Sequence, residues 1–136
     1  PIGIEVALTV PDRKELVMHG NAELLRRAVE NVVRNALQHS EGTNRIEILL
    51  DDPGTAESVL LRVRNRGKGI DEEQIESLFE PFTRGRTSAG FGLGLAIAHR
   101  AVAVHKGSIH ATNLPEGGVE VQILLPLEAV RQNTKT

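Results

Sequence analysis

The chain has 136 residues, a length that suits one domain, and its 40% apolar and 25% charged content excludes a disordered tail, a fibre and a coiled coil. A formal net charge of −2 supplies no general basic field for nucleic acid. Cysteine is absent, which removes disulfides and thiolate metal sites and fits a reducing compartment, and no apolar run approaches the ~20 residues of a membrane span. No signal-peptide pattern stands at the N-terminus. The chain opens on Pro1 instead of Met, so a piece of a longer protein is expected. Trp and Tyr are missing, and the three phenylalanines, Phe79, Phe82 and Phe91, fall around one glycine-rich stretch, either as core packing or as anchors of a mobile loop.

Ile4, Val6, Leu8 and Val10 alternate with smaller or polar residues, the pattern of a half-buried strand ending at Pro11-Asp12. A short strand is expected over Glu15 to Met18. A long helix follows, with Leu24, Leu25, Ala28, Val32, Ala36 and Leu37 at helical spacing, Asn21 as its N-cap and Gly42 as its stop. Ile46, Ile48 and Leu50 alternate as the next strand, Asp51 to Thr55 reads as a turn, and Val59 to Val63 as its return strand. Asp71-Glu72-Glu73 opens a short helix with its acids in the first turn. Residues 82–91 have no apolar period and read as a flexible loop. A helix is expected from Gly92 to His105, ended by Lys106-Gly107. Ser108 to Ala111 and Val119 to Leu125 form two last strands around the turn Leu114-Pro115-Glu116-Gly117-Gly118, and 128–136 is a polar, frayed tail. The expected architecture is a single α/β (α+β) two-layer sandwich, a mixed sheet with helices packed on one face and an ordered core over 4–127.

Four constellations carry chemistry. Asn31 and Asn35 stand at i and i+4 on the long helix, so their carboxamides project side by side. Neutral carbonyl oxygens suit a hard cation that also holds phosphate; a pair of solvated or capping asparagines is the plainer reading. Asn65-Arg66-Gly67-Lys68-Gly69-Ile70 follows a strand, where glycines let a backbone approach a flat ligand or simply make a turn. Phe79-Glu80-Pro81-Phe82 is either a helix end with two packed rings or the hinge of a loop carrying Arg84 and Arg86. Gly90-Phe91-Gly92-Leu93-Gly94-Leu95 turns a row of N–H groups toward one point at a helix start, an arrangement suited to phosphate. It is not a dinucleotide fingerprint, because no strand precedes it, and no Gly-Lys-Ser/Thr follows to make a P-loop.

In this order the four blocks resemble the ATP-binding catalytic domain of the two-component sensor histidine kinases, with the Bergerat fold shared with gyrase, Hsp90 and MutL (the GHKL superfamily). Asn31 to Ser40 resembles the N box, Asn65 to Ile70 the G1 box, Phe79 to Phe82 the F box, Gly90 to Leu95 the G2 box, and Gly117-Gly118 a final glycine element. The resemblance runs from Ile4 to Leu127, and the F box favours a histidine kinase over gyrase-like relatives.

The resemblance implies that ATP lies against Asn31, Asn35, Gln38, His39, Asn65, Gly67, Gly69, Ile70, Phe79, Arg84, Phe91, Gly92, Leu93, Gly94 and Leu95. Within that set Asn31, Asn35 and Arg84 carry the chemistry. Asn35 is the implied Mg²⁺ ligand. Asn31 lies where gyrase-like ATPases hold a glutamate that activates water, and an amide cannot act as that base. The implied activity is ATP-dependent transfer of the γ-phosphate to a protein histidine. Phe91 to Gly94 would offer backbone N–H groups to phosphates, Arg84 would neutralise them, and the loop Thr83 to Phe91 would close over them. Two positions depart from the pattern. Gln38 replaces a basic residue, with Arg34 as an uncertain substitute in direction, and Asn65 replaces the Asp that accepts from the adenine amino group. A carboxylate bond is worth ~1.5–3 kcal/mol and a neutral amide bond ~0.5–1.5. Weaker ATP binding is therefore expected, with relaxed adenine-over-guanine discrimination should the Asn65 amide flip.

None of the five histidines, His19, His39, His99, His105 and His110, stands in the family's phosphoacceptor setting, and His99 and His105 read as packing residues. The implied partners are a histidine-containing dimerisation domain and a response regulator receiver domain, with no nucleic acid. The isolated domain is expected to be a monomer and the parent a homodimer. The implied location is cytoplasmic, in a membrane-anchored bacterial kinase. The competing readings are a degenerate pseudokinase docking module, an anti-sigma-type serine kinase and, more remotely, a gyrase-like ATPase.

Overall fold

The computed structural model describes residues 5–9, 20–40, 45–51, 57–80 and 94–127, with only the backbone for the first of these. Its elements run β1 (Glu5–Thr9), α1 (Ala22–Gln38), β2 (Arg45–Asp51), β3 (Ser58–Arg64), α2 (Glu72–Glu76), α3 (Gly94–Val104), β4 (Ser108–Asn113) and β5 (Val119–Pro126). The five strands form one sheet in the order β1-β2-β3-β5-β4. β1 runs parallel to β2 and every other neighbour is antiparallel, so the sheet is mixed as expected. Among the described residues no helix is long and apolar enough to cross a membrane.

Strand alternation sorts the sheet into two faces. Ile46, Val63, Val121, Ile123, Ile109 and Ala111 face inward and are buried. Register aligns them in rows: Ile48 lies opposite Val63, Val63 opposite Val121, and Val121 opposite Ala111. The other face is ionic. Glu47, Arg64 and Glu120 stand opposite one another across three strands. Arg64 Nε lies 2.6 Å from Glu120 Oε2, and Gln122 Nε2 donates to the other Glu120 oxygen at 2.6 Å. That bond to Glu120 is the main reason the Arg64 guanidinium is held above its ordinary pKa. Arg62 pairs with Asp51 on the same face. Glu120 is only 5% exposed, a buried charge kept tolerable by these partners.

α1 starts where Asn21 caps it: the Asn21 side chain accepts from Leu24 N–H at 3.0 Å. Ala28, Val32 and Ala36 make its buried stripe, while Glu23, Arg26 and Glu30 pair on its exposed face. The helix ends at Gln38 with His39 as C-cap, earlier than the Gly42 stop expected from sequence. The His39 N–H takes the Asn35 carbonyl at 3.2 Å, and the Ser40 N–H turns to Leu37 at 3.3 Å, which breaks the i→i−4 ladder. Gly42 itself, the expected strand at Glu15 to Met18, the loop 82–91 and the tail 128–136 lie outside the described residues.

α3 buries Leu95, Ala98, Ala101 and Val102. Facing alanines on the two helices let their backbones come close, and this antiparallel pair covers one face of the sheet. α3 ends at the expected Lys106-Gly107. Lys106 takes the left-handed conformation (φ 64°), while Gly107 N–H reaches back to Val102 O at 2.9 Å. Glycine is needed at 107 because a Cβ there would come within 2.3 Å of the Leu124 carbonyl. β4 also runs two residues past the expected Ala111, to Asn113.

His105 joins the two helices at this end. Its Nδ1 lies 2.7 Å from Ala101 O, and its Nε2 accepts from Asn21 N–H at 2.8 Å. A carbonyl can only accept and an N–H can only donate, so the ring is neutral with its proton on Nδ1. The expected packing role is therefore also a hydrogen-bonding one. His105→Leu keeps the bulk but leaves the Asn21 N–H without its acceptor. Urea unfolding should show a loss of about 1–3 kcal/mol at unchanged m-value; equal stability would mean that water replaces the ring.

Candidate nucleotide-binding site

The i, i+4 spacing on α1 does place Asn31 and Asn35 one turn apart, beside the buried stripe, both half-buried. Asn31 meets the N-terminal end of α3. A Cβ on Gly94 would sit 3.8 Å from Asn31 Oδ1, so the positive end of the α3 dipole lies beside the Asn31 carboxamide. Arg34 Nη1 donates to Asn31 Oδ1 at 3.3 Å. The sequence left the direction of Arg34 open; the structure brings its guanidinium to this face. Among the described residues the Asn35 side chain has no hydrogen-bond partner, which leaves its oxygen available.

Asn65 stands at the end of β3 and is 3% exposed. Its Oδ1 accepts from Val119 N–H at 2.7 Å and its Nδ2 donates to Ala36 O at 3.3 Å. Turning the amide over, the flip considered from sequence, would set N–H against N–H and carbonyl against carbonyl. Asn65 thus lies next to the helix turn that bears Asn35. Its sequence neighbours Arg64 and Arg66 point to the opposite face, Arg66 toward Glu116 at 3.1 Å. The Glu116 carboxyl is held below its ordinary pKa first by its own backbone N–H and then by Arg66.

The glycine turns interlock. Gly67 (φ 138°), Gly117 (φ 106°) and Gly118 (φ 107°) take backbone conformations that side chains rarely adopt. A Cβ on Gly118 would fall 2.1 Å from the Asn65 carbonyl oxygen. The Gly117-Gly118 turn is therefore packed directly on the start of the Asn65 to Ile70 turn. Asn113, which the sequence reading did not single out, holds the far end of that turn. Ile70 N–H donates to Asn113 Oδ1 at 2.8 Å, and Asn113 Nδ2 donates to Ile70 O at 2.8 Å. A Cβ on Gly69 would come within 2.4 Å of the same oxygen. A signal was present: Asn113 continues the inward-facing series Ile109, Ala111, where an apolar residue belongs.

The other expected residues divide. His39 caps α1 and Gln38 is exposed on its last turn. Leu95 is buried in the core, so only its backbone remains for a ligand, and Ile70 packs on the core with both backbone groups held by Asn113. Phe79 also packs on the core and stacks on His99 with ring centroids 6.2 Å apart. Arg84, Phe91, Gly92 and Leu93 lie outside the described residues.

The donor set fits a magnesium nucleotide better than a bare metal ion. Among the described residues no group of three or more His, Cys, Asp or Glu side chains gathers to hold a metal. Neutral carboxamide oxygens at a helix N-terminus suit a hard cation whose charge is met by phosphates and waters.

Comparison with known proteins agrees with this geometry. Residues 20–129 match the family described as histidine kinase-, DNA gyrase B- and HSP90-like ATPase. The sensor histidine kinase CpxA of Escherichia coli K12 is 37% identical over 115 residues, 81% of this chain and 24% of that protein. The kinase BaeS of the same organism is 30% identical over 131 residues, 93% of this chain and 27% of that protein. The chain thus spans about a quarter of the length of these relatives. Among solved structures, the mycobacterial sensor histidine kinase MprB superposes with a TM-score of 0.79 at 29% identity, covering 92% of this chain and 83% of that one. Full-length ShkA in complex with AMPPNP superposes at 0.76 with 25% identity, covering 92% of this chain and 26% of that one. With its asparagine pair, interlocked glycine turns and mixed five-stranded sheet, the chain belongs to the histidine kinase-, gyrase- and HSP90-like ATPase family, as an ATP-binding catalytic domain of the sensor histidine kinase type.

Proposed function

We propose that the chain binds Mg-ATP between α1, the N-terminus of α3 and the two glycine turns, and delivers the γ-phosphate to a histidine on a separate dimerisation domain. A response regulator receiver domain takes the phosphoryl group next, and the parent is a membrane-anchored homodimer with this domain in the cytoplasm. The observation that carries this reading is Asn31 against the N-terminal end of α3, with Asn35 one turn further along the same helix. Helix N-termini favour phosphate, and carboxamides are ligands that add no charge of their own.

Asn35 offers the oxygen for Mg²⁺, which would supply neutralisation of the phosphate charge. Arg34, held on Asn31, adds a guanidinium to the same face. Asn31 itself supports transfer over hydrolysis, because a carboxamide at that position has no basic lone pair to take a proton from water. The chain's own contribution is then orientation and charge, which is most of what phosphoryl transfer requires. Asn65, Gly67 and Gly69 would border the base at the β3–α2 connection; the expected phosphate contacts of Arg84 and Phe91 to Leu93 fall outside the described residues.

Calorimetric titration with ATP, ADP and GTP, each with and without Mg²⁺, tests this directly. Micromolar to sub-millimolar ATP binding, strengthened by Mg²⁺, is the expected result. A folded sample that binds no nucleotide at millimolar concentration would instead support a docking module. Asn35→Ala should remove at least about tenfold of the Mg²⁺-dependent affinity, ~1.4 kcal/mol, while sparing metal-free binding. In the parent protein, ATP should give acid-labile phosphorylation on histidine; acid-stable phosphate on a serine would favour the serine-kinase alternative.

A further inference from the structure

The turn from Asn65 to Ile70 is a span fixed at its two ends. At the β3 end the Asn65 backbone N–H donates to Val119 O at 3.1 Å. Beyond it, among the described residues, the backbone of 66–70 makes no hydrogen bond to other backbone. Gly67 and Gly69 give the stretch wide conformational freedom, and Lys68 and Gly69 are exposed. One side chain fixes the far end: Asn113, the last residue of the edge strand β4. Its Oδ1 takes the Ile70 N–H and its Nδ2 donates to the Ile70 carbonyl, both at 2.8 Å. The same Nδ2 lies 3.4 Å from Glu72 Oε2 in the first turn of α2, a helix whose N-cap Asp71 makes no side-chain cap bond. Asn113 therefore holds the corner at which the turn becomes a helix.

We propose that Asn113 is a positioning residue for the base half of the nucleotide. It acts through Gly69 and Ile70. Gly69 would border the base, and a Cβ there would fall 2.4 Å from Asn113 Oδ1, so the amide is packed directly on the Gly69 backbone. With both Ile70 bonds made, the turn is ordered before a ligand arrives. Without them, two glycines and a lysine have to be ordered at the moment of binding, and affinity drops by that cost. The cost falls on the base side. The Mg²⁺ and phosphate side is built on α1 and the start of α3, whose hydrogen bonds among the described residues do not involve Asn113. This role rests on the nucleotide-binding reading above; the hold on Ile70 does not.

The experiment compares wild type and Asn113→Ala by amide hydrogen exchange and by titration with ATP, with and without Mg²⁺. Inorganic tripolyphosphate with Mg²⁺ serves as a ligand that has no base. The Ile70 N–H should be protected in wild type and exchange at least about tenfold faster in the variant, with a smaller change at the central sheet amides. ATP affinity should fall by about tenfold, with its gain from Mg²⁺ and the affinity for tripolyphosphate unchanged. A wild-type Ile70 amide that exchanges as fast as that of exposed Lys68 overturns the hold. Unchanged ATP affinity overturns the positioning role, and so does an equal loss for tripolyphosphate, which marks a site loosened throughout. If wild type binds no nucleotide while Ile70 is protected, the hold stands, and the positioning role falls with the nucleotide reading. Gly69→Ala gives a second route, and it decides if Asn113→Ala does not fold. Its Cβ displaces the Asn113 amide, so Ile70 should exchange faster in this variant too; an Ile70 amide as slow as in wild type overturns the hold. In the Asn113→Ala background the same Cβ has nothing to displace, so the two stability costs should sum to less than additive, and additive costs overturn the contact.

Discussion

The close antiparallel contact between α1 and α3 is the constraint on which the rest depends. It is made of small side chains: Ala28, Val32 and Ala36 on one helix, Ala98, Ala101 and Val102 on the other. Bulkier residues would push the axes apart. At one end the pair is tied by His105 to the backbone of the α1 N-cap. At the other it brings Asn31 to van der Waals distance of the position where α3 begins. A helix N-terminus and the Asn31 carboxamide are juxtaposed by core packing, with no bond made between them for that purpose.

The asparagines divide into two jobs. Asn21, Asn65 and Asn113 spend their side chains on backbone groups: the α1 first turn, the α1 last turn with the β5 edge, and both sides of Ile70. Carboxamides suit this work because one planar group both donates and accepts without introducing charge. Among the described asparagines Asn31 and Asn35 are the exceptions, half-exposed on the helix, with Asn31 beside the start of α3. The glycines divide similarly. Gly118 and Gly69 are required by close approach to Asn65 and Asn113, and Gly67 and Gly117 by positive φ. Two glycine-containing turns are locked to each other and to two asparagines. Such a floor holds its shape before any ligand arrives, which lowers the ordering cost of binding.

The outer face of the sheet solves a different problem. Among the described residues α1 and α3 cover one side, and the other is held by side-chain pairs. Here it carries a lattice of alternating charge, Asp51 with Arg62, Glu120 with Arg62 and Arg64, and Arg66 with Glu47 and Glu116. Registered opposite charges stabilise cross-strand pairs modestly. Arg64 and Arg66 are committed to this face and Asn65 between them to the other, as the two-residue period of an extended chain demands.

Much of this was legible in the chain itself. Local pattern determined the strands, the N-cap at Asn21, the i, i+4 asparagine pair and the order of the glycine turns, because each depends on residues a few positions apart. The family followed from that order. What the tertiary structure alone decided is where the hydrogen bonds of polar side chains go. Local alternation marks Asn113 as a polar residue in an inward-facing series, but nothing local shows that it grips a turn more than forty positions away in the chain. Nothing local shows that Asn65 faces Ala36 and Val119 with both ends of its amide, or that Lys106 and not Gly107 takes the left-handed turn. Apolar periodicity is written along the chain; the partner of a buried donor is set by which distant backbone group folding leaves unsatisfied beside it.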